Sequence, residues 1–206
     1  MVTKTDTKNN TKRADLAISL IENNNPTVLE LGTGDGELFL KLSSKGLDIT
    51  GTDICPNEGL LRNKHRVIKH DLNNGLPFKD NSFDVVIALE VLEHLYNPYA
   101  MMKEIKRVLR PRGYAIIAMP NTASWISRIG QVYEKRLNKL DIYWHHYQPS
   151  ITSIRNLVST ELKIEDEIFL GGFRRLSFFN PLMKVLIKIS KNAFCGDLIV
   201  KARKLD

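Results

Sequence analysis

Residues 28–37 read Val-Leu-Glu-Leu-Gly-Thr-Gly-Asp-Gly-Glu, an apolar run that passes into a turn with glycine at every second position. An apolar run followed by a glycine-rich turn predicts a buried strand that ends in a tight loop. Glycine has no Cβ and adopts positive φ without steric cost, so Gly32, Gly34 and Gly36 let the backbone approach a ligand closely. We therefore expect a ligand-binding turn at the carboxyl end of the first strand.

An acidic residue follows this turn at the distance expected for a nucleoside site. Asp53 ends the next predicted strand, about 20 residues beyond the glycine turn. At that place a carboxylate accepts hydrogen bonds from both hydroxyls of a ribose. The two features together predict that a ligand containing a nucleoside lies across the first two strands.

The spacing of the glycines differs from that of the common phosphate-binding loops. The dinucleotide fingerprint G-x-G-x-x-G/A has a small residue at its sixth position, where the helix packs on the strand. Counted from Gly32, that position holds Glu37, whose carboxylate would also repel a diphosphate. No Gly-Lys-Ser/Thr follows, so the P-loop is excluded. The loop therefore favours a ligand without phosphates, and an NAD-type oxidoreductase fails this test.

The turn, of the form E-x-G-x-G-x-G, resembles that of the class I S-adenosylmethionine-dependent methyltransferases, in particular the small-molecule, quinone-biosynthesis-like subgroup called type 11. The resemblance is close over residues 27–120 and loose elsewhere. Four further segments also resemble segments of the family and occur in the same order along the chain: 66–72, 76–89, 90–95 and 104–120. The resemblance implies that S-adenosyl-L-methionine is the cofactor.

The same resemblance implies a set of cofactor contacts. Glu30 and the glycine turn would face the methionine half, Asp53 the ribose, and Asp71 the adenine amino group. The complete set that we expect is Glu30, Gly32, Thr33, Gly34, Gly36, Asp53, Ile54, Asp71, Leu72 and Glu90.

The remaining sequence predicts an α/β fold. Short runs rich in Val and Ile alternate with helical patterns, which indicates a mostly parallel sheet covered on both faces. The expected architecture is a Rossmann-like, doubly wound, mostly parallel seven-stranded sheet with a C-terminal antiparallel hairpin of Lys163–Leu170 and Leu198–Ala202. The apolar runs are 28–31, 67–68, 85–89 and 114–119, and the helical patterns are 12–23, 37–45, 98–110 and 150–160.

The length of 206 residues suits one domain with a sizeable core. We expect residues 1–10 to be a disordered tail, with Thr11 capping the first helix, and 11–206 to form a single domain. Within it, the cofactor-binding core spans about 27–120, and an acceptor-binding and lid region spans about 121–197.

Candidates for acceptor chemistry lie between the fifth and sixth predicted strands. Residues 143–149 are rich in aromatic side chains and histidine, and in the resembling enzymes this region contributes to the acceptor pocket. The catalytic candidates are His146, His145 and Glu90, which lies at the tip of the fourth strand. Of the two histidines, His146 fits the family's place slightly better. A base is needed only if the acceptor loses a proton. The alternative is that either histidine is exposed or bonded to a backbone carbonyl. For Glu93, His94 and Asp84 we expect structural roles.

The net charge of +7 resides mainly at the two ends of the chain. Residues 178–191 predict a basic amphipathic helix. It suits either peripheral contact with an anionic membrane, through the segment 173–191, or an ordinary lid over an apolar acceptor. The sequence argues against nucleic acid as a substrate, because Ala88-Leu89-Glu90 stands where base-amine methyltransferases carry Asn/Asp-Pro-Pro-Tyr/Phe. Nucleic-acid methylation therefore stays a minor alternative, beside a non-catalytic binding protein of the same fold.

Cysteine usage and the N-terminal residues bear on metals and compartment. Cys55 and Cys195 have no C-x-x-C partner, so we expect no metal site and two buried, inert thiols. The chain shows no apolar leader, and its longest apolar runs are far shorter than the ~20 residues of a membrane span. We expect a cytoplasmic protein, with the oligomeric state and the acceptor left open.

Overall fold

A computed structural model describes residues 4–22, 25–62, 66–125, 127–128, 146–171, 185, 188 and 190–205. The strands in this part of the chain are β1 (Thr27–Leu31), β2 (Asp48–Asp53), β3 (Val67–Lys69), β4 (Phe83–Leu89), β5 (Leu109–Pro120), β6 (Lys163–Gly171) and β7 (Cys195–Arg203). The helices are α1 (Lys4–Ser19), α2 (Glu37–Ser44), α3 (Glu58–Arg62), α4 (Pro98–Val108), α5 (Ile151–Ser159) and α6 (Lys191–Phe194), with 3-10 turns at Leu72–Asn74 and Leu92–His94.

The strands form one sheet in the order β3-β2-β1-β4-β5-β7-β6. Strands β1 to β5 are parallel, and β7 runs antiparallel between β5 and β6. The predicted Rossmann-like sheet with a C-terminal antiparallel hairpin is therefore confirmed. The strand order reverses at β1, between β2 and β4, and ligands of open α/β sheets bind at the carboxyl ends of the strands beside such a point.

The central strands are mostly apolar, as expected for a sheet that helices cover on both faces. In β4, Val85, Val86, Ile87 and Ala88 have no exposed surface at all. In α2, the buried side chains are Leu38, Phe39 and Leu42. This packing holds the carboxyl ends of β1 and β4 rigidly beside each other.

Local signals explain where the later helices begin and end. The side chain of Asn97 accepts a hydrogen bond from the Ala100 amide, and Pro98 occupies the first turn of α4, as predicted. The helix ends at Val108 rather than at 110, because β5 already begins at Leu109. The side chain of Ser150 caps α5 in the same way.

The first helix corrects two expectations. It begins at Lys4, not after Thr11, so residues 4–10, which we expected to be a disordered tail, are helical. Ala14 and Ala17, one turn apart in this helix, are buried. Once such a packed turn exists, each added residue extends a helix at little cost, even where the residues are polar.

Asp84 is the structural anchor that the sequence predicts. Its carboxylate accepts hydrogen bonds from the amide and hydroxyl of Thr27, at 2.8 and 2.7 Å, and from Arg110 at 2.8 Å. These contacts join the starts of β1 and β4 to the first residues of β5. Burial alone would raise the pKa of Asp84, but the bonds from Thr27 and Arg110 outweigh it and lower that pKa.

We expect Asp84→Ala to lower the free energy of unfolding by about 1–3 kcal/mol at neutral pH, because it leaves the Thr27 and Arg110 donors without their acceptor. A depressed folded-state pKa stabilises the fold above the ordinary aspartate pKa, and this stability is lost as the pH falls through the depressed value. Urea unfolding at several pH values measures both effects. A difference between variant and wild type that persists in acid would contradict the assignment.

Candidate active site

A cavity of about 290 Å³ opens at the carboxyl ends of β1 and β4. Its wall includes the glycine turn 32–34, the residue Arg13 of α1, and four acidic side chains, which are Glu30, Asp35, Glu37 and Glu90. The sheet topology places a ligand at this same edge. The predicted turn and the tip of the fourth strand therefore meet at one site.

The three glycines of the turn all adopt positive φ, of 70° at Gly32, 51° at Gly34 and 85° at Gly36. A Cβ on Gly32 would lie 2.6 Å from Cγ2 of Val91, whereas a Cβ on Gly34 would meet no atom of the described residues within 4 Å. Gly32 is thus required by packing and backbone conformation together. Gly34 leaves open space on the cavity side, as expected for a backbone that a ligand approaches.

Glu30 is a buried carboxyl group at the base of the cavity, 5% exposed. Its Oε2 has no hydrogen-bond partner among the described residues. Burial raises the pKa of Glu30 well above its ordinary value, and the nearby charges of Asp35 and Asp53 raise it further. A positively charged donor in the cavity would satisfy this oxygen and favour its ionised form.

Two further buried oxygens on the cavity wall have no hydrogen-bond partner among the described residues, Oγ1 of Thr33 and Oε2 of Glu37. Unsatisfied buried polar atoms are rare in folded proteins and call for a ligand or a water. Their convergence with Glu30 on one cavity fits a ligand that carries hydrogen-bond donors and positive charge.

Asp53, at the end of β2, supports the glycine turn directly. Its Oδ2 accepts a hydrogen bond from the Gly34 amide and its Oδ1 one from the Cys55 amide, both at 2.8 Å. Each carboxylate oxygen has two lone pairs, so these bonds leave capacity for ribose hydroxyls. Ile54 beside it is 63% exposed. Cys55 is also exposed, so the expectation that it is buried was wrong: the chain turns outward after β2 instead of entering the core.

We expect Asp53→Ala to weaken cofactor binding by about 1.5–3 kcal/mol, because a charge-assisted hydrogen bond to the ribose would be lost and the Gly34 amide released. Isothermal titration with S-adenosylhomocysteine measures this. Asp48→Ala, at the opposite end of the same strand and paired with exposed Arg66, is the matched control. Unchanged affinity in Asp53→Ala would remove Asp53 from the site.

The end of β3 carries the residues expected near adenine. Asp71 caps the 3-10 turn that follows it, since its Oδ1 accepts hydrogen bonds from the amide and side chain of Asn73 at 2.9 and 3.0 Å. Leu72 is buried, at 8% exposure. Asp71 therefore has a structural contact in addition to the cofactor contact that the family resemblance implies.

Glu90 belongs to an ionic cluster that sequence reasoning missed. It has φ of 57°, uncommon for a residue other than glycine, and its Oε2 lies 3.4 Å from Nη2 of Arg13. The same Nη2 lies 2.6 Å from Oδ2 of Asp197. Burial opposes the charge on Arg13, but Glu90 and Asp197 outweigh it and raise the pKa of Arg13. A lone arginine on a predicted helix and a lone aspartate in a late strand carry no motif that could have indicated this contact.

The segment that carries the histidine candidates, residues 143–149, is described from residue 146 onward. The Tyr147 amide donates to the backbone oxygen of Glu93 at 3.0 Å, which holds this segment beside the end of β4. His146 is exposed, and its ring centroid lies 4.6 Å from that of Tyr96. His145 lies outside the described residues, as do Tyr143 and Trp144.

Glu93 is fully buried, and neither oxygen of its carboxyl group has a hydrogen-bond partner among the described residues. Burial raises the pKa of Glu93 well above its ordinary value, and the neighbouring Glu90 raises it further. The structural role that we expected for Glu93 is consistent with its backbone contact to Tyr147.

The comparison with known proteins agrees with this geometry. Residues 29–117 match the family model described as a methyltransferase domain. The chain is 35% identical over 165 residues to an uncharacterized protein of Methanocaldococcus jannaschii, covering 79% of this chain and 72% of that protein. It is 28% identical over 165 residues to a ubiquinone biosynthesis O-methyltransferase of Idiomarina loihiensis, covering 75% of this chain and 66% of that enzyme.

Other similarities are partial or extend to the fold alone. A sterol 4-C-methyltransferase of Caenorhabditis elegans is 33% identical over 99 residues, but the match covers 43% of this chain and only 29% of that enzyme. A solved S-adenosylmethionine-dependent methyltransferase from Methanosarcina mazei superimposes with a TM-score of 0.64 at 20% identity, over 91% of this chain and 96% of that one.

The helices in the described part of the chain are each too short or too polar to cross a lipid bilayer. With the turn, the sheet order and these relatives in agreement, the chain belongs to the methyltransferase-domain family, whose cofactor is S-adenosyl-L-methionine.

Proposed function

We propose that this protein transfers the methyl group of S-adenosyl-L-methionine to an oxygen, nitrogen or carbon atom of a small-molecule or lipid-like acceptor. The observation that carries the proposal is the cavity beside the glycine turn, where acidic side chains and one guanidinium converge. This arrangement matches a ligand that has two positive groups and one carboxylate at its amino-acid end.

Individual side chains fit the parts of this cofactor. Glu30 and the other acids of the cavity would favour the ammonium and the sulfonium, and the Arg13 guanidinium would hold the carboxylate. We assign Asp53, which accepts a hydrogen bond from the Gly34 amide, to the ribose, and the exposed Ile54 beside it to the adenine ring. The cofactor supplies a sulfonium methyl that is already activated for in-line displacement by a nucleophile.

The main task of the protein is then to align the acceptor. Orientation of two reactants accounts for about 7–11 kcal/mol of a barrier in the best cases. Glu90 lies on the cavity wall after the end of β4, and His146 directly precedes Tyr147, whose amide bonds the backbone oxygen of Glu93. We assign acceptor contact to Glu90, His146 and His145. One of them serves as the base if the acceptor nucleophile must lose its proton.

The names of the relatives support a small acceptor. One is a ubiquinone biosynthesis O-methyltransferase and another a sterol 4-C-methyltransferase, so each acts in the chemistry of a lipid-like molecule. We extend this class of acceptor to the present chain. We propose one domain spanning 11–206, in which residues 27–120 bind the cofactor and residues 121–197 form the acceptor and lid region. We propose the cytoplasm as its location. Methylation of nucleic acid is disfavoured, since Leu89 and Glu90, at and just after the end of β4, stand where base-amine methyltransferases carry Asn/Asp-Pro-Pro-Tyr/Phe.

Peripheral membrane contact through residues 173–191 is part of the proposal, and most of this segment lies outside the described residues. The exposed positions Val185 and Lys188 are among the few parts of it that the structure describes. Flotation with anionic vesicles tests the contact, with a Lys184→Glu, Lys188→Glu double variant as the comparison. Equal flotation of both proteins, or of neither, would refute it.

Titration calorimetry with S-adenosylmethionine, S-adenosylhomocysteine and NAD in parallel tests the cofactor. We expect micromolar binding of the first two and none of NAD, after which acceptors can be screened by the release of S-adenosylhomocysteine. Tight NAD binding would refute the proposal. Binding of the sulfonium cofactor without turnover on a broad panel of quinols, sterols and amines would favour the second candidate function, a non-catalytic cofactor-binding protein.

A further inference from the structure

We infer that Asp197 is a positioning residue of the cofactor site, which holds the Arg13 guanidinium at the cavity wall so that it can bind the carboxylate of the cofactor. The inference rests on the proposed function, because it requires a ligand with an amino-acid end in this cavity. Asp197 lies far along the chain from the glycine turn and outside residues 29–117, the part that matches the family model.

The geometry separates the two carboxylates that contact Arg13. Nη2 of Arg13 lies 2.6 Å from Oδ2 of Asp197 and 3.4 Å from Oε2 of Glu90. Arg13 and Glu90 line the cavity, whereas Asp197 is not among its lining residues. Among the described residues, the side-chain ion pair that connects Asp197 to the cavity wall is the one with Arg13, and it is shorter than the contact between Arg13 and Glu90.

The position of Asp197 follows from the sheet. Because β7 is antiparallel to β5, its first residues meet the carboxyl end of β5, where Asp197 pairs with Pro120. Asp197 thus lies at the same edge of the sheet as the ends of β1 and β4. Arg13 reaches this edge from α1, and the contact joins residues 184 positions apart.

A fixed guanidinium is better suited to carboxylate recognition than a mobile one. Arginine has several rotatable bonds, and ordering its long side chain costs conformational entropy when a ligand binds. A short charge-assisted bond to Asp197 orders the side chain before the ligand arrives. The side chain of Arg13 is only 7% exposed, so two adjacent carboxylates also compensate for the lost hydration of its charge.

Calorimetric titration with two ligands distinguishes this role from a structural one. S-adenosylhomocysteine carries the amino-acid end, and 5′-methylthioadenosine lacks it while keeping the adenosine and the thioether. The proteins to compare are the wild type, Asp197→Asn, Asp197→Glu, Arg13→Gln and the double variant Arg13→Gln, Asp197→Asn. Asp15→Asn, which removes an exposed ion pair with Lys41 on the same helix as Arg13, is the control.

We expect Asp197→Asn to weaken S-adenosylhomocysteine binding about tenfold and 5′-methylthioadenosine binding less than about twofold, with partial recovery in Asp197→Glu. The double variant should bind like Arg13→Gln alone, since the effect of Asp197 passes through Arg13. Thermal unfolding of each variant checks that the fold is retained.

Three results would overturn the inference. Unchanged S-adenosylhomocysteine affinity in Asp197→Asn means that Asp197 does not position Arg13. Equal losses for both ligands mean a general structural role. A wild-type protein that binds neither ligand refutes the proposed function as well, whereas the first two results leave that function standing.

Discussion

Gly32→Ala is expected to lower the free energy of unfolding by about 2–4 kcal/mol, through left-handed backbone strain and overpacking. The new Cβ would lie 2.6 Å from Cγ2 of Val91, at a residue whose φ is 70°. Val91 directly follows Glu90, so relief of this clash displaces the turn and the tip of β4 together. We therefore expect weaker cofactor binding and a rate of methyl transfer lower by on the order of a hundredfold, because a misplacement of about 1 Å costs that much at a reacting site.

Two other glycines provide matched controls for Gly32→Ala. Gly34 and Gly46 both have positive φ and open space where a Cβ would stand, but only Gly34 lines the cavity. Each alanine variant should lose about 1–2 kcal/mol of stability from the left-handed backbone. Only Gly34→Ala should also lose cofactor affinity. Chemical unfolding and calorimetry together measure these effects, and wild-type affinity in Gly32→Ala would contradict the assignment of the turn.

Glu30→Gln is expected to abolish the pH dependence of cofactor binding. In the free protein Glu30 has a raised pKa because of burial and the charges of Asp35 and Asp53. The positive groups of the cofactor favour the ionised carboxylate, so binding releases a proton. Affinity of the wild type should then rise with pH, by at most about tenfold per unit, until the pH passes the raised pKa.

The stability of the free protein should change in the opposite direction. A carboxyl group with a raised folded-state pKa stays protonated in the fold while the unfolded chain ionises. Stability of the wild type therefore falls as the pH rises from the ordinary glutamate pKa towards the raised one. Glu30→Gln cannot ionise at this position, so its stability does not fall with pH in this way. Between the ordinary and the raised glutamate pKa it should therefore gain stability relative to the wild type.

Calorimetry in two buffers of different ionisation enthalpy measures the proton release directly. Glu93→Gln is the control, because Glu93 is also buried with a raised pKa but does not line the cavity. It should alter the pH dependence of stability and leave proton release on binding unchanged. Equal proton release in the wild type and in Glu30→Gln would show that Glu30 does not face the cationic end of the cofactor.

Much of the fold was accessible from the sequence because its signals are local. Glycine at every second position of the turn indicates a backbone with positive φ, and all three glycines adopt positive φ. The apolar runs of β1, β4 and β5 predict strands that are buried on both faces, and a parallel sheet covered by helices buries them in this way. Asp53 at the end of β2 and Asp84 near the start of β4 follow from the same strand boundaries.

Other features depend on segments that meet only in the folded chain. The contact of Arg13 with Asp197 joins α1 to β7 through the sheet order, which no local pattern encodes. Likewise, the sequence identifies Glu30 as an acid but not its desolvation, which sets its pKa and arises from the elements that enclose it. The exposure of Cys55 and the contact of His146 with Tyr96 are decided in the same way. The sequence by itself determined the family and the cofactor turn, because both are recognised from patterns of residues that are close together in the chain. Only the tertiary structure decided the charge of the cavity, because charge and burial depend on distances between remote parts of the chain.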